Sequence, residues 1–443
     1  MKYELTETES KKFGAQLSAL LNEFNREGEI DRNFLQECQG IFFGFDNEEN
    51  GHELQNKHYS SKLWKIVSKW LPPELNEEHD NFAAETYQGP IIVETKGGLD
   101  IIIDASTQDG HFHVDSYNVD KGGLGPNTAE AMYHRGQEFN LIALYGQGLV
   151  ANIQEKLLGE VGIKPHIVRH RRDTNFHPCI NFKDEQGEFL GWMVAQVYPM
   201  HEWVLDEFTN KIDEVSQANP GEFMVLTNTP PRGANPDYFA KLSKIANKNQ
   251  NMVIYNPCEW VDTYLADRYL FKQGHADIVK PNLHEFFQFL VSLDIIDAAD
   301  MIDRRKQIKT EIDAGNFSNL STLLDQFMQA SSCEIAIVSL DKDGVIVASM
   351  QDQVHIPAPV IQLECSSGAG DSGLAGLIAA AKEVELDLFD ISQEDLIKIA
   401  TEFVYSASAT AAKKGNQLAR PDEIAVLKES AVVIPKVLVK SSV

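Results

Sequence analysis

The sequence predicts an α/β protein in which a parallel sheet is covered by helices on both faces, preceded by a helical N-terminal extension. Three observations carry this. Short apolar runs at Leu141–Tyr145, Phe223–Leu226, Met252–Tyr255, Ile278–Val279 and Ile335–Leu340 are separated by segments of helical character. Strands this apolar are buried on both faces, as in a parallel sheet. Other stretches alternate polar and apolar residues, as half-exposed strands do. They are His111–Val119 and the hairpin-like pair His177–Phe182 and Glu188–Tyr198 about the turn at residues 184–187. These can join the main sheet or form a small one of their own. The first 88 residues, by contrast, carry helical periodicity and no buried-strand pattern.

Taken in order, residues 11–24 place Phe13, Leu17, Leu20, Leu21 and Phe24 on one helical face. Residues 61–70 do the same with Leu63, Trp64, Val67 and Trp70, until Pro72 and Pro73 stop the helix. Between them lies the aromatic run Ile41–Phe45, and an acidic, poorly periodic segment, Glu74–Gln88, closes the extension. Its apolar faces have to cover either the main domain or a second subunit. From Pro90 the pattern changes to strands and helices. Pro90–Val93 and Leu99–Ile103 read as strands, the second ending at Asp104. Ser392 and Asp395 open the last long helix with a capping-box pattern.

Composition excludes several classes of function. The chain has 443 residues, 43% of them hydrophobic, which is ample for a core. Its formal net charge of −27 argues against nucleic acid or an anionic membrane as a main partner, since both require a cationic face. The five cysteines (Cys38, Cys179, Cys258, Cys333, Cys365) are scattered, so neither a disulfide framework nor a zinc site is expected. The N-terminus lacks a signal-peptide core, and no run approaches the ~20 apolar residues that span a bilayer. A soluble, cytoplasmic protein is expected.

Chemistry concentrates in Cys365–Ala381, CSSGAGDSGLAGLIAAA. Gly368 and Gly370 can adopt backbone angles closed to other residues. Unpaired N–H groups at the following helix start would form an anion cradle, with the carboxylate of Asp371 beside it. A cradle and a fixed base are what phosphoryl transfer to a hydroxyl requires. An Asp-capped helix after a glycine turn explains the same residues, and this stretch alone does not separate the two. VKPNLHEF at Val279–Phe286 leaves a similar pair of readings open. Lys280 meets phosphate while Asn282 and Glu285 hold hydrated Mg²⁺, or the segment is a helix N-terminus with an acid in its first turn. KGGLGPNTA at Lys121–Ala129 is a glycine turn entering a helix, and LTNTPPRGANP at Leu226–Pro236 is a turn-rich strand end. Arg169–Arg172 is a compact cationic run, fitted to a substrate phosphate or to a solvated strand end. His111 and His113 are explained by neighbouring positions on one strand face, without a metal. GQGLVA at Gly146–Ala151 fits a dinucleotide fingerprint, with Arg169 where a 2′-phosphate of NADP would lie.

In this order the motifs resemble those of the ribokinase-like (PfkB-type) carbohydrate kinases, nearest the phosphofructokinase and tagatose-6-phosphate kinase branch. The resemblance runs from about Pro90 to Leu427 and includes Leu99-Asp100, Gly122–Ala129, Leu226–Leu242, Val279–Phe286, Val338–Gly344, Gly368–Ser372 and Gly415–Ile424. It implies a three-layer α/β/α sandwich at residues 89–443 with a small β-sheet lid, drawn from about residues 108–120 and 176–198. It further implies an ATP- and Mg²⁺-dependent kinase acting on a sugar or phosphosugar. Asp371 matches the catalytic base, and Gly368, Ala369 and Gly370 match the anion hole. Lys280, Ser339 and Gly344 fall on the nucleotide side, Asn282 and Glu285 on the metal element, and Asp100, Gly123 and Asn127 on the sugar. A homodimer is consistent with an exposed lid sheet and an apolar extension.

Departures from the family pattern gather on the substrate side. Leu124 lies inside the glycine turn, Asn175 replaces an expected lid Arg, and His111 stands where a basic residue is expected. Thr227-Asn228-Thr229 replaces Ser-Gly-Ser, Asn256 replaces Asp, and Asp341 replaces a nucleotide-side Gly. With the lid Arg absent, Arg171 or Arg172 is the candidate for a substrate phosphate, unless the acceptor is uncharged. Two other classes remain beside the kinase: a non-catalytic regulatory protein on a kinase fold, and an NADP-binding oxidoreductase.

Overall fold

A computed structural model describes residues 2–4, 12–13, 15–16, 87–95, 98–108, 111–170, 175–183, 189–191, 200–231, 233–258, 264–388, 390–414 and 417–438. The central sheet has ten strands in the order β15-β14-β13-β12-β11-β10-β9-β2-β5-β6. They are β2 (Ile91–Glu94), β5 (Asn140–Tyr145), β6 (His166–Arg169), β9 (Phe223–Thr227), β10 (Met252–Asn256), β11 (Ile278–Val279), β12 (Ile335–Ser339), β13 (Val345–Ser349), β14 (Gln353–Ile356) and β15 (Lys436–Val437). From β6 to β12 every neighbouring pair is parallel, and β13, β14 and β15 continue the sheet antiparallel.

Both faces of the sheet are covered, as its uniformly apolar strands require. Val93, Val253 and Tyr255 point into one core, against the helices Glu202–Ala218, Tyr238–Lys248 and Leu283–Ser292 among others. Ile92 and Ile254, one position along, point into the other. That second core is closed by helix α1 (Leu124–His134), helix α2 (Ala369–Glu383) and helix α3 (Gln393–Ala411). Helices α2 and α3 approach closely because α2 is built from small residues. A Cβ on Gly373 would lie 2.7 Å from the Phe403 ring, and one on Gly376 would lie 2.8 Å from the Glu402 carbonyl oxygen. The capping box predicted for α3 is present, with Ser392 Oγ accepting from the Asp395 N–H at 3.1 Å.

A second, five-stranded sheet has the order β1-β4-β3-β7-β8. Its members are β1 (Lys2–Glu4), β3 (Gly98–Gln108), β4 (His111–Gly122), β7 (Asn175–Lys183) and β8 (Phe189–Gly191). This sheet is the lid, and its extent differs from the expected 108–120 and 176–198. Leu99–Ile103 lies in it, as part of a long β3 that continues past Asp104 through a bulge between Asp104 and Ala105. Leu99–Ile103 was expected as a strand ending at Asp104, with no sheet assigned to it. The extension also contributes a strand, because Lys2–Glu4 pairs antiparallel with Ser116–Asn118 of β4. Of the helix expected at 11–24, Lys12, Phe13, Ala15 and Gln16 are helical and Phe13 is buried. The helix expected at 61–70 and the run at 41–45 lie outside the described residues. Among the described residues no helix is long and apolar enough to cross a membrane.

Candidate active site

The carboxyl ends of β2, β9, β10, β11 and β12 face the N-terminus of α2, the edge at which ligands gather on an open α/β sheet. Gly368 caps α2 with φ 74°, in the left-handed region that favours glycine. A Cβ there would also meet Leu418 Cδ2 at 2.7 Å, and one on Gly370 would meet the Lys280 ammonium at 2.9 Å. The turn therefore favours glycine at 368 by its backbone angle, and a larger residue at 370 would have to displace the Lys280 ammonium. The Ala369 N–H donates to the Ser366 carbonyl at 3.2 Å, while the Gly370 N–H precedes any helical carbonyl that could accept it. Lys280, just beyond β11, is buried and brings a positive charge against this turn.

Asp371 is buried in the first turn of α2. Its Oδ2 accepts from Asn127 Nδ2 at 3.1 Å, across from α1. Burial raises its pKa above the ordinary carboxylate range, while the Lys280 charge, the amides of Asn127 and Asn256 and the more distant Lys121 oppose the shift. The carboxylate thus stands among cations and amide donors. Lys121 is itself buried and pairs with Glu130 and Asp120.

Sequence reasoning missed the residue that joins the glycine turn to the loop after β9. Glu94, the last residue of β2, is buried. Its Oε2 accepts from the Gly125 N–H at 2.6 Å, with the Thr227 hydroxyl 3.1 Å away, and its Oε1 accepts from Asn228 Nδ2 at 2.6 Å. One carboxylate therefore ties the glycine turn of α1 to the TNT loop after β9. Gly123 caps α1 with φ 103°, and the turn it makes delivers Asn127 to Asp371. Asn256 and Lys121 were likewise not expected to adjoin Asp371.

Asn282 and Glu285 form a reciprocal capping box on the helix Leu283–Ser292. The Glu285 N–H donates to Asn282 Oδ1 at 2.9 Å, and the Asn282 N–H donates to Glu285 Oε2 at 2.7 Å. The helix-cap reading is thus realised. Oxygen donors on a buried acid at this edge also fit Mg²⁺, which keeps several waters and takes few direct protein ligands. Among the described residues, one trio of closely set metal-ligating side chains occurs, His275, Asp277 and Glu334. It precedes β11 and β12, at the opposite end of the sheet from this site.

Ser339 ends β12 and bridges to Asn282, with its N–H donating to the Pro281 carbonyl at 3.0 Å. Gly344 has φ 90°, and a Cβ there would lie 2.0 Å from the Ile356 carbonyl oxygen, so its glycine is required by packing within the sheet. Asp341, between them, is exposed and held at φ 55°. That conformation costs a non-glycine residue roughly 1 kcal/mol. Asp341→Gly is expected to stabilise the protein by about that amount and to lower the KM for ATP. Thermal melting and initial rates against ATP check both, and an unstable variant refutes the strain argument.

Asp100 lies on β3, paired with Asp120 of β4 and His177 of β7, so it belongs to the lid. Arg171 and Arg172 lie outside the described residues. The dinucleotide reading gave Arg169 to a 2′-phosphate, but Arg169 is engaged within the protein. Its guanidinium pairs with Glu155 and donates to the Gly146 carbonyl at 3.0 Å, fastening the turn as an internal connection.

A family model described as pfkB family carbohydrate kinase matches residues 98–423. Tagatose-6-phosphate kinase of Staphylococcus epidermidis is 22% identical over 306 residues, covering 66% of this chain and 86% of that protein. The fold is similar to phosphofructokinase-2 from Escherichia coli in complex with fructose-6-phosphate, with a TM-score of 0.59 at 16% identity, covering 78% and 99% of the two chains. It is also similar to a possible 1-phosphofructokinase from Thermotoga maritima, with a TM-score of 0.61 at 15% identity, covering 79% and 99%.

Proposed function

The chain belongs to the pfkB carbohydrate kinase family and is a phosphotransferase, and we propose that it transfers the γ-phosphoryl group of ATP to a hydroxyl of a sugar phosphate with Asp371 as general base. The observation that carries this reading is a buried carboxylate held by Asn127 beside the glycine cradle and Lys280. Asp371 takes the proton from the acceptor hydroxyl as its oxygen bonds to the γ-phosphorus and the bond to ADP breaks. The N–H groups of the Gly368-Ala369-Gly370 turn receive the charge spread over the phosphoryl oxygens, a contribution of roughly 3–4 kcal/mol for preorganised donors. Lys280 balances that charge from beside Gly370. Mg²⁺, when bound, neutralises the phosphates, and Asn282 and Glu285 would hold it through its waters. Ser339 and Gly344 flank the nucleotide side, while Asp100, Gly123 and Asn127 flank the sugar. Residues 1–88 act as an extension to the kinase domain at 89–443, and ATP as donor accords with a cytoplasmic enzyme.

The acceptor is a ketohexose phosphate, on the analogy of the tagatose-6-phosphate kinase above. Its phosphate meets Arg171 or Arg172, in place of the cation that Asn175 does not supply. ADP release from Mg·ATP is the test, run against free sugars, sugar phosphates and nucleosides. A signal confined to sugar phosphates is expected. Arg171→Ala or Arg172→Ala should then raise the KM for that sugar phosphate roughly 10-fold or more, the loss of one charge-assisted hydrogen bond. Silence across the panel defeats the proposal, and unchanged KM values in both variants reject the arginines.

A further inference from the structure

Asn256 ends β10 at the centre of the site, level with Thr227 of β9. Its backbone carbonyl is employed there, accepting from the Asn228 N–H at 3.0 Å. Its side chain is not. The residue is 0% exposed, yet neither Oδ1 nor Nδ2 has a hydrogen-bond partner in the protein. Asn256 nevertheless lies close enough to Asp371 to favour its ionised form, short of a hydrogen bond of normal length. A buried amide without partners is destabilising by about 1–3 kcal/mol per group, so its presence needs an account.

The chemistry of the two orphaned atoms narrows what satisfies them. A phosphate oxygen takes only donors and would leave Oδ1 unpaired. A cation takes only acceptors and would leave Nδ2 unpaired. An alcohol is donor and acceptor at once and can satisfy both. Both atoms are unpartnered whichever way the amide is turned. The neighbouring Asn127 repeats the pattern, since its Oδ1 is also buried and without a partner while its Nδ2 holds Asp371.

We propose that Asn256 is a specificity-determining residue whose buried amide receives a hydroxyl group of the acceptor next to Asp371. The proposal rests on Asp371 being the base only for where the reacting hydroxyl lies. It has a second consequence. The groups that act on the Asp371 charge are Lys280 and Lys121, both cationic, and the neutral amides of Asn127 and Asn256. An amide at 256 holds the acceptor without setting a second carboxylate beside the base, which would push its proton affinity upward.

Asn256→Leu and Asn256→Asp test this, assayed with Mg·ATP and tagatose 6-phosphate or fructose 6-phosphate, beside Asp371→Asn. The leucine is close in size and removes the unsatisfied polar atoms. It should leave the melting temperature unchanged or higher, raise the acceptor KM at least ~10-fold and leave the KM for ATP within about 2-fold. A structural asparagine would give the opposite: a clearly lowered melting temperature, or an unmoved acceptor KM, overturns the proposal. Asn256→Asp should shift the acid limb of kcat/KM to higher pH, and an unmoved limb also overturns it. Full turnover in Asp371→Asn would defeat the base assignment itself. Lost turnover there, with both Asn256 variants unaffected, would defeat this proposal alone.

Discussion

Asp371→Asn is expected to lower kcat by roughly 10²–10⁴-fold, the contribution of a positioned general base, while ATP binding measured by calorimetry stays within about 2-fold. The substitution is nearly isosteric, and Asn127 keeps an acceptor at the same place, so the fold should survive. The pH dependence of the parent enzyme gives an independent reading. The base works only when ionised, so activity falls as pH falls through its pKa. Burial moves that pKa up, against the pull of Lys280 and the two amides, so the acid limb should lie above the ordinary Asp range. Removing the opposing charge sharpens the test. Lys280→Met should push the limb higher still and should also lower kcat, because Lys280 stands beside Gly370 at the cradle. A variant Asp371→Asn with near-parental turnover would remove the base assignment, whatever the pH profile.

Much of this architecture was legible in the chain, for identifiable reasons. The parallel sheet was readable because strands such as Phe223–Thr227 and Met252–Asn256 are apolar on both faces, and both of their faces are buried. The glycine turn was readable because Gly368 caps α2 and Gly370 lies in its first turn. Where two readings competed, geometry separated them unevenly. The Asn282/Glu285 pair proves to be a capping box, and that leaves the metal role for experiment. The Gly146–Gly148 turn is fastened by Arg169 and Glu155, a pairing that no fingerprint encodes. What stayed hidden is long-range. A lone Glu at a strand end gives no signal that its carboxylate will collect a backbone donor 31 positions away and an amide 134 positions away. Nor does Asn256, apparently a simple loss of charge, announce that it will be buried with both amide atoms unpaired. That β3 runs on past Asp104 was missed because the apolar run stops there, while the pairing with β4 continues through a bulge.

Glu94 is where the largest loss of stability is expected. Its two carboxylate oxygens accept from Gly125 and Asn228 at 2.6 Å each, and the Thr227 hydroxyl lies close by. A Cβ on Gly125 would come within 2.7 Å of Glu94 Oε2, so the turn is moulded around this side chain. Glu94→Ala leaves the buried Gly125 N–H without its acceptor and the Asn228 amide with only the Thr227 hydroxyl at 3.4 Å, and it opens a hole between the two loops. Each unsatisfied group is destabilising by about 1–3 kcal/mol, which puts the total at roughly 3–5 kcal/mol with the cavity. Denaturant unfolding monitored by circular dichroism should report that loss as a lower midpoint with an unchanged slope. Glu94→Gln separates the hydrogen bonds from the volume. One of its ends is a donor, so either Gly125 or Asn228 must face an N–H, and a smaller loss, roughly 1–3 kcal/mol, is expected. Both variants should also lower turnover at temperatures where they remain folded, because the turn that Glu94 holds is the one that brings Asn127 to Asp371. If Glu94→Ala unfolds at the parental midpoint, the carboxylate is not what joins these loops. If it is destabilised but fully active when folded, Asn127 does not depend on the turn for its place.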